Sequence, residues 1–169
     1  EAVVQLGIET DSGDAEGAVL ASRPVAVERA QLDAVLENFR GDIEQVPPMY
    51  SALKRDGKAL YEYARAGIEI EREARKVRVH ALELLDFADT RFSIRVACSK
   101  GTYIRSLAMD IGSALGCGAH LCALRRTRIG AFDVADALTL EALEAQPAEV
   151  RAGLLAPADT LVAAYPACH

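Results

Sequence analysis

The clearest alternation of apolar and polar positions lies at residues 92–98. Phe92, Ile94, Val96 and Cys98 alternate with Ser93, Arg95 and Ala97, the period of a half-buried strand. Residues 76–87 read as its antiparallel partner, with Ala88-Asp89-Thr90 as the hairpin turn. After Gly101 the period becomes helical: Ile104, Leu107, Ala108, Ile111 and Leu115 fall on one face. Thr102 is the expected N-cap and Gly116 the C-terminal stop. This strand-turn-helix unit brings Lys100, Tyr103 and Arg105 to the opening of a helix.

The same reading gives the other elements. Residues 2–8 predict an apolar strand, residues 9–17 a polar loop, and residues 18–21 a short strand broken by Arg23-Pro24. Val27, Leu32, Val35, Leu36 and Phe39 share one face of an amphipathic helix over 27–39. Two prolines keep residues 40–54 extended, residues 55–58 form a turn, and a short helix over 59–66 stops at Gly67. Residues 118–124 form a short segment leading into Arg125 and Arg126. Residues 129–134 predict a strand, and Thr139 caps a helix. From Pro147 onward, turns and prolines predict a linker. No internal repeat is evident.

Composition narrows the class. In 169 residues, 51% are apolar and 26% charged, a globular balance, with no apolar run of membrane-spanning length. No basic segment precedes an apolar one as in a signal peptide, so the cytoplasm is expected. The opening at Glu1, directly into Ala2-Val3-Val4, predicts a chain cut inside a domain. Missing N-terminal strands would then leave an open sheet edge or exposed apolar surface.

The net charge of −6 argues weakly against a nucleic-acid partner only when taken whole. Residues 1–39 carry two basic and eight acidic groups, residues 40–130 sixteen basic and eleven acidic, and residues 131–169 one basic and six acidic. A basic middle between acidic ends suits a polyanion. Tyr50, Tyr61 and Tyr63 interleave there with Lys54, Lys58 and Arg65, a mixture fit for base stacking and phosphate contact. The plainer alternative puts Tyr61 in the core beside a solvated charged face.

The helix opening at 101–105 is a natural anion seat, since its N–H groups are unpaired and Lys100 and Arg105 add charge. It is equally compatible with a core helix carrying ordinary surface residues near its cap. It is not a P-loop, because Lys100 precedes Gly101 and no glycine lies in the five residues before it. The four cysteines (98, 117, 122, 168) fit no zinc-ribbon or C-x-x-C spacing, which favours reduced thiols over a metal site at Cys117, His120 and Cys122. The acidic loop at 9–16 does not fit an EF-hand.

Four blocks carry a resemblance. Cys-Ser-Lys-Gly-Thr-Tyr-Ile-Arg-Ser-Leu (98–107) and Gly-Cys-Gly-Ala-His-Leu-Cys-Ala-Leu-Arg-Arg (116–126) resemble the signature of TruB-type tRNA pseudouridine synthases. So do Gly-Ile-Glu-Thr-Asp-Ser-Gly-Asp-Ala-Glu-Gly (7–17) and the stretch from Phe39 through Pro47-Pro48-Met49-Tyr50 to Lys54, with the Gly-Lys-Ala-Leu-Tyr-Glu-Tyr-Ala-Arg that follows. The blocks span nearly the whole chain in the family's order.

The resemblance implies an α+β pseudouridine-synthase fold, a mixed and largely antiparallel sheet flanked by helices. It implies isomerisation of uridine 55 in the T-loop of tRNA, with the T-arm stem-loop as partner, no cofactor, metal or membrane, and a monomer when full length. The target base must be flipped out of its stack. An aspartate acts at the sugar as nucleophile or base. By position, Tyr103 matches the tyrosine that contacts the flipped base, Leu124 the apolar residue packed against it, and Asp14 an acidic residue near the RNA. Arg105 matches the arginine that pairs with the catalytic aspartate. Lys100, Arg125 and Arg126 suit phosphate contacts by charge.

The family's Gly-x-Leu-Asp motif does not occur in these residues. The expectation is therefore a partial catalytic domain over 1–155 and a linker over 156–169 toward an RNA-binding domain. The nucleophilic aspartate would lie outside the chain, Arg105 would await its carboxylate, and the piece alone would be inactive. Two alternatives stay open: a non-catalytic RNA-binding module that keeps the synthase platform, and a phosphate-binding metabolic enzyme using residues 101–105. The second lacks a paired general acid and base near that turn.

Overall fold

The computed structural model describes residues 1–154; of the predicted linker, all of 156–169 lies outside them. Two compact units divide the chain, Glu1–Arg125 and Arg126–His169. In chain order the first contains β1 (Ala2–Leu6), β2 (Ile8–Thr10), β3 (Val19–Ser22), α1 (Arg29–Asn38), β4 (Gly41–Gln45), β5 (Lys54–Arg55) and β6 (Lys58–Ala59). It continues with α2 (Leu60–Arg65), β7 (Arg75–Ala88), β8 (Arg91–Cys98), α3 (Ile104–Ala114) and β9 (Ala119–Leu124).

A five-stranded sheet of order β4-β7-β8-β1-β9 forms its frame, with every neighbouring pair antiparallel. One parallel bridge, Asp14 to Leu121, adds the mixed element. β1 shows the reason for its place: Ala2, Val4 and Leu6 are buried, while Val3 and Gln5 are only half-buried. Phe92 and Ile94 of β8 and Leu107, Ala108 and Ile111 of α3 join them in one core, with Leu32 and Leu36 of α1. Burying each large side chain contributes about 1.5–3 kcal/mol. The helical stripe at 104–115 and the alternation at 92–98 are thus two sides of one core.

Several boundaries differ from the sequence reading. The strand expected over 2–8 is two strands, because Gly7 turns the chain at φ 85°. A Cβ at Gly7 would also come within 2.6 Å of Val25 Cγ2 and 2.8 Å of the Arg23 carbonyl. Thr102 is not the N-cap of α3: its hydroxyl donates to the Ser99 carbonyl at 2.9 Å, and Tyr103 occupies the cap position. The sheet's two edges are β4 and β9, and β1 runs between β8 and β9. The 13–15 loop covers part of β9, with Leu121 N donating to Gly13 O and Ala15 N to Leu121 O, both at 3.0 Å.

The second unit opens on a small hairpin, β10 (Arg128–Ile129) and β11 (Phe132–Asp133), where a single strand over 129–134 was expected. Gly130 at φ 58° reverses the chain between them. A 3-10 turn follows at Val134–Asp136, then α4 (Leu140–Glu144), whose cap Thr139 accepts from Ala142 N at 3.1 Å as expected. Residues beyond Pro147 begin not as a linker but as α5 (Ala148–Leu154). Pro147 accepts the Arg151 N–H and so starts that helix rather than preventing one. No helix among the described residues is long and apolar enough to cross a membrane.

Candidate active site

Three segments of the first unit meet around a cleft of about 650 Å³: the polar loop at 11–18, the stretch 50–52 with α2, and the start of α3. Asp14, Tyr50, Tyr61, Arg65, Tyr103 and Arg105 all line it. They come from three segments far apart in sequence, so the fold alone assembles them.

Arg105 is the centre of the site. Its Nη1 lies 3.1 Å from Asp14 Oδ2 and donates to the Ser12 carbonyl at 3.2 Å. Its Nη2 donates to the Tyr50 carbonyl. Among the described residues three of the five guanidinium N–H groups are thereby engaged, and two remain for a further acceptor. Both members of the ion pair are about three-quarters shielded, which makes the pair stronger than an exposed one. Within the described residues Arg105 already has one carboxylate partner, Asp14, in addition to the catalytic aspartate expected from outside the chain.

Asp14 is itself held rigidly. Ser12 Oγ donates to Asp14 Oδ1 at 2.6 Å, and the Glu16 N–H donates to the same oxygen at 3.2 Å. Thr10 Oγ1 donates to the Asp14 carbonyl at 2.7 Å. The 11–17 loop is therefore a scaffold that aims one carboxylate at one guanidinium, rather than a solvated turn.

Tyr103 stands on the same first turn and its side chain borders the cleft. Tyr61 is 37% exposed and lines the cleft too, which overturns the core reading of that residue. The Arg65 guanidinium sits 5.2 Å from the Tyr61 ring centroid, and Lys58 Nζ 5.1 Å from that of Tyr63. The structure brings Asp14, Tyr103 and Arg105 together. Lys100 is exposed in the turn before α3, and Leu124 is 53% exposed at the end of β9; neither lines this cleft. Arg125 and Arg126 are exposed, with Arg125 anchored by its main chain to Glu1.

Sequence reasoning passed over Ser12, Gln45 and Ser51. The signal for Gln45 was a polar residue at an inward position of β4, and for Ser51 its place beside Tyr50. Ser51 Oγ is buried on the cleft wall with no hydrogen-bond partner among the described residues. A second cleft of about 450 Å³ is bordered by Val46, Arg72, Ser106, Met109 and Asp110. Burial there pushes the Asp110 carboxyl above its ordinary value of 3.8. Cys122 Sγ lies 3.6 Å from His120 Nε2, and His120 Nδ1 lies 3.0 Å from the Ile8 carbonyl. Among the described residues no three His, Cys, Asp or Glu side chains cluster in a way that could hold a metal.

The architecture is that of the pseudouridine synthases. A chain in the crystal structure of a Cbf5–Nop10–Gar1 complex is 31% identical with a TM-score of 0.61, covering 84% of this chain and 33% of that one. A chain in the structure of an H/ACA RNP bound to a substrate RNA containing 2′-deoxyuridine is 27% identical with a TM-score of 0.55, covering 84% of this chain and 31% of that one. A sequence model described as the TruB family pseudouridylate synthase N-terminal domain matches residues 1–104, and one described as the tRNA pseudouridylate synthase B C-terminal domain matches 105–163.

The chain belongs to the TruB family of pseudouridylate synthases. It is 68% identical over 166 residues to tRNA pseudouridine synthase B of Azoarcus sp. strain BH72, covering 98% of this chain and 55% of that protein. To the protein of the same name from Aromatoleum aromaticum strain EbN1 it is 64% identical over 166 residues, with 54% of that protein covered. The chain thus spans about half the length of the curated relatives it matches. The junction at 104/105 between the two matched models falls at the first residues of α3, so Asp14 and Arg105 lie in different matched segments but in one compact unit.

Proposed function

We propose that this chain is part of a cytoplasmic tRNA pseudouridine synthase that isomerises uridine 55 in the T-loop, acting as a monomer on the T-arm stem-loop. The observation that carries the reading is the Arg105–Asp14 pair at 3.1 Å beside Tyr103 in one cleft. The names of its relatives support the same reading. Isomerisation breaks the N-glycosidic bond, turns the uracil and rejoins it to the same sugar through carbon. The C5 hydrogen leaves to solvent and the freed N1 takes up a proton, so the product is an isomer of the substrate.

Each residue has a role in this reading. Tyr103 contacts the flipped base, and Leu124, exposed outside the cleft lining, offers an apolar surface for it. The two remaining N–H groups of Arg105 hold the nucleophilic aspartate ionised and oriented, while Asp14 fixes the guanidinium from behind. That aspartate lies outside these 169 residues, within the family's Gly-x-Leu-Asp motif. Lys100, Arg125 and Arg126 meet RNA phosphates, and Tyr61 with Arg65 extends the stacking surface toward the stem.

The test is tritium release from carbon 5 of uridine in a T-arm stem-loop, catalysed by the full-length gene product. Release of one tritium per RNA, with the modification mapped to position 55, is expected. Tight binding without release would instead establish the non-catalytic RNA-binding module.

A further inference from the structure

The start of α3 carries both Tyr103 and Arg105, yet Tyr103 has no side-chain oxygen able to cap the helix as Ser, Thr, Asp or Asn would. A residue far away in sequence instead holds the main chain of the cap residue itself. Gln45, the last residue of β4, is 2% exposed. Its Oε1 accepts from the Tyr103 N–H at 3.1 Å and its Nε2 donates to the Tyr103 carbonyl at 3.3 Å. That carbonyl also accepts the Leu107 N–H at 3.0 Å, so both its lone pairs are used.

Two further ties run from the same segment to the same helical turn. Ser106 Oγ donates to the Val46 carbonyl at 2.9 Å, and Arg105 Nη2 donates to the Tyr50 carbonyl. Residues 45–50 therefore form a splint along the first turn of α3. β4 anchors the splint to the sheet through β7, where Gln45 pairs with Arg75. Of the three ties, only the Gln45 amide grips both main-chain groups of one residue, which fixes the orientation of the two peptides flanking Tyr103 and not just a distance.

We infer that Gln45 is a positioning residue for the reaction: its bidentate grip on Tyr103 sets where the Tyr103 ring and the Arg105 guanidinium stand in the cleft. The inference rests on the functional reading above. An alternative is that Gln45 is merely a buried amide with its hydrogen bonds satisfied, in which case its loss would lower stability without altering the chemistry of molecules that remain folded.

The experiment compares the full-length gene product with its Gln45→Met and Gln45→Glu variants in single-turnover tritium release from a T-arm stem-loop. Circular dichroism and RNA affinity are measured alongside. Met keeps the length of the side chain but neither hydrogen bond. Its single-turnover rate is expected to fall at least about tenfold while RNA affinity stays within about threefold, because small misplacements of reacting groups cost rate.

The Glu variant supplies a readout that folding alone would not move. Ionised, the introduced carboxylate accepts from the Tyr103 N–H but cannot donate to its carbonyl. Protonated, it can do both, as the amide does. Its rate relative to the parent is therefore expected to rise as pH falls, and burial favours the protonated form. Arg75 on β7 and Arg105 on α3 stay charged throughout. Asp110 on α3 titrates in parent and variant alike and drops out of the ratio.

A Met variant whose folded fraction turns over within about twofold of the parent rate would overturn the inference. So would a Glu variant whose ratio to the parent is flat with pH. A parent that releases no tritium would overturn the functional reading and this inference with it.

Discussion

Arg105 Nη1 and Asp14 Oδ2 stand 3.1 Å apart, joining the first turn of α3 to a loop ninety-one residues earlier in the chain. The pair ties together two pieces of backbone that each hold other residues of the cleft. The relation is geometric as well as electrostatic, because Arg105 reaches two main-chain carbonyls at the same time. A point charge in its place could not satisfy three acceptors in a plane.

Both Arg105→Ala and Arg105→Lys are accordingly expected to lower single-turnover rate about 100-fold or more while leaving RNA affinity nearly unchanged. A double-mutant cycle with Asp14→Ala should give a coupling energy of about 1–3 kcal/mol in urea unfolding, because the pair is mostly shielded and shares its hydrogen bonds. Loss of affinity with retained rate would remove Arg105 from the chemistry.

For Tyr103 the expected pattern differs. Tyr103→Ala should weaken RNA binding by about 1–3 kcal/mol, the worth of one stacked base, and slow turnover as well. Tyr103→Phe keeps the ring and should recover most of the affinity. Filter binding and single-turnover assays on one stem-loop separate the two effects. Equal losses for Ala and Phe would mean that the hydroxyl matters and the ring does not.

These residues were legible in the sequence to different degrees, for physical reasons. The face of α3 and the alternation of β8 follow from local periodicity, so Leu107, Ile111, Phe92 and Ile94 were found in the core where expected. The cap differs because Thr102 fits the local rule but turns its hydroxyl to the Ser99 carbonyl, while a tertiary contact from Gln45 holds Tyr103 at the cap position. The Arg105–Asp14 pair leaves no mark in local sequence. The resemblance singled out both residues but assigned Arg105 a different partner. The helix after Pro147 goes against the turns and later prolines of that stretch, which do not bear on residues 148–154, and proline is tolerated at a helix start.

Packing of α3 yields a further expectation. Gly112, buried on the helix, faces the chain leading into β9, and a Cβ there would lie 2.3 Å from the Ala119 nitrogen and 2.4 Å from the Gly118 carbonyl carbon. Both neighbours are backbone and cannot swing aside. Gly112→Ala should therefore destabilise the fold by about 3 kcal/mol or more, the upper range for overpacking, despite alanine's better helix propensity. Urea unfolding would measure it; a neutral result would mean that α3 and β9 sit farther apart than described.

Asp110 carries the last expectation, and its sign runs against the usual carboxylate. Burial raises its folded-state value above the ordinary 3.8. The folded protein then holds this proton more tightly than the unfolded chain does. Its contribution to stability is fully present below pH 3.8, falls as pH rises through the raised folded-state value, and stays unfavourable at neutral pH. Asp110→Asn removes the charge and keeps the shape. The variant should have a higher Tm than the parent at pH 7, and the difference should shrink once pH falls through the raised folded-state value toward 3.8. Thermal melts across that range check both parts. A constant difference would point to a changed contact rather than a proton, and a lower Tm at neutral pH would mean that the carboxylate is stabilised by a neighbour in the cleft it shares with Arg72.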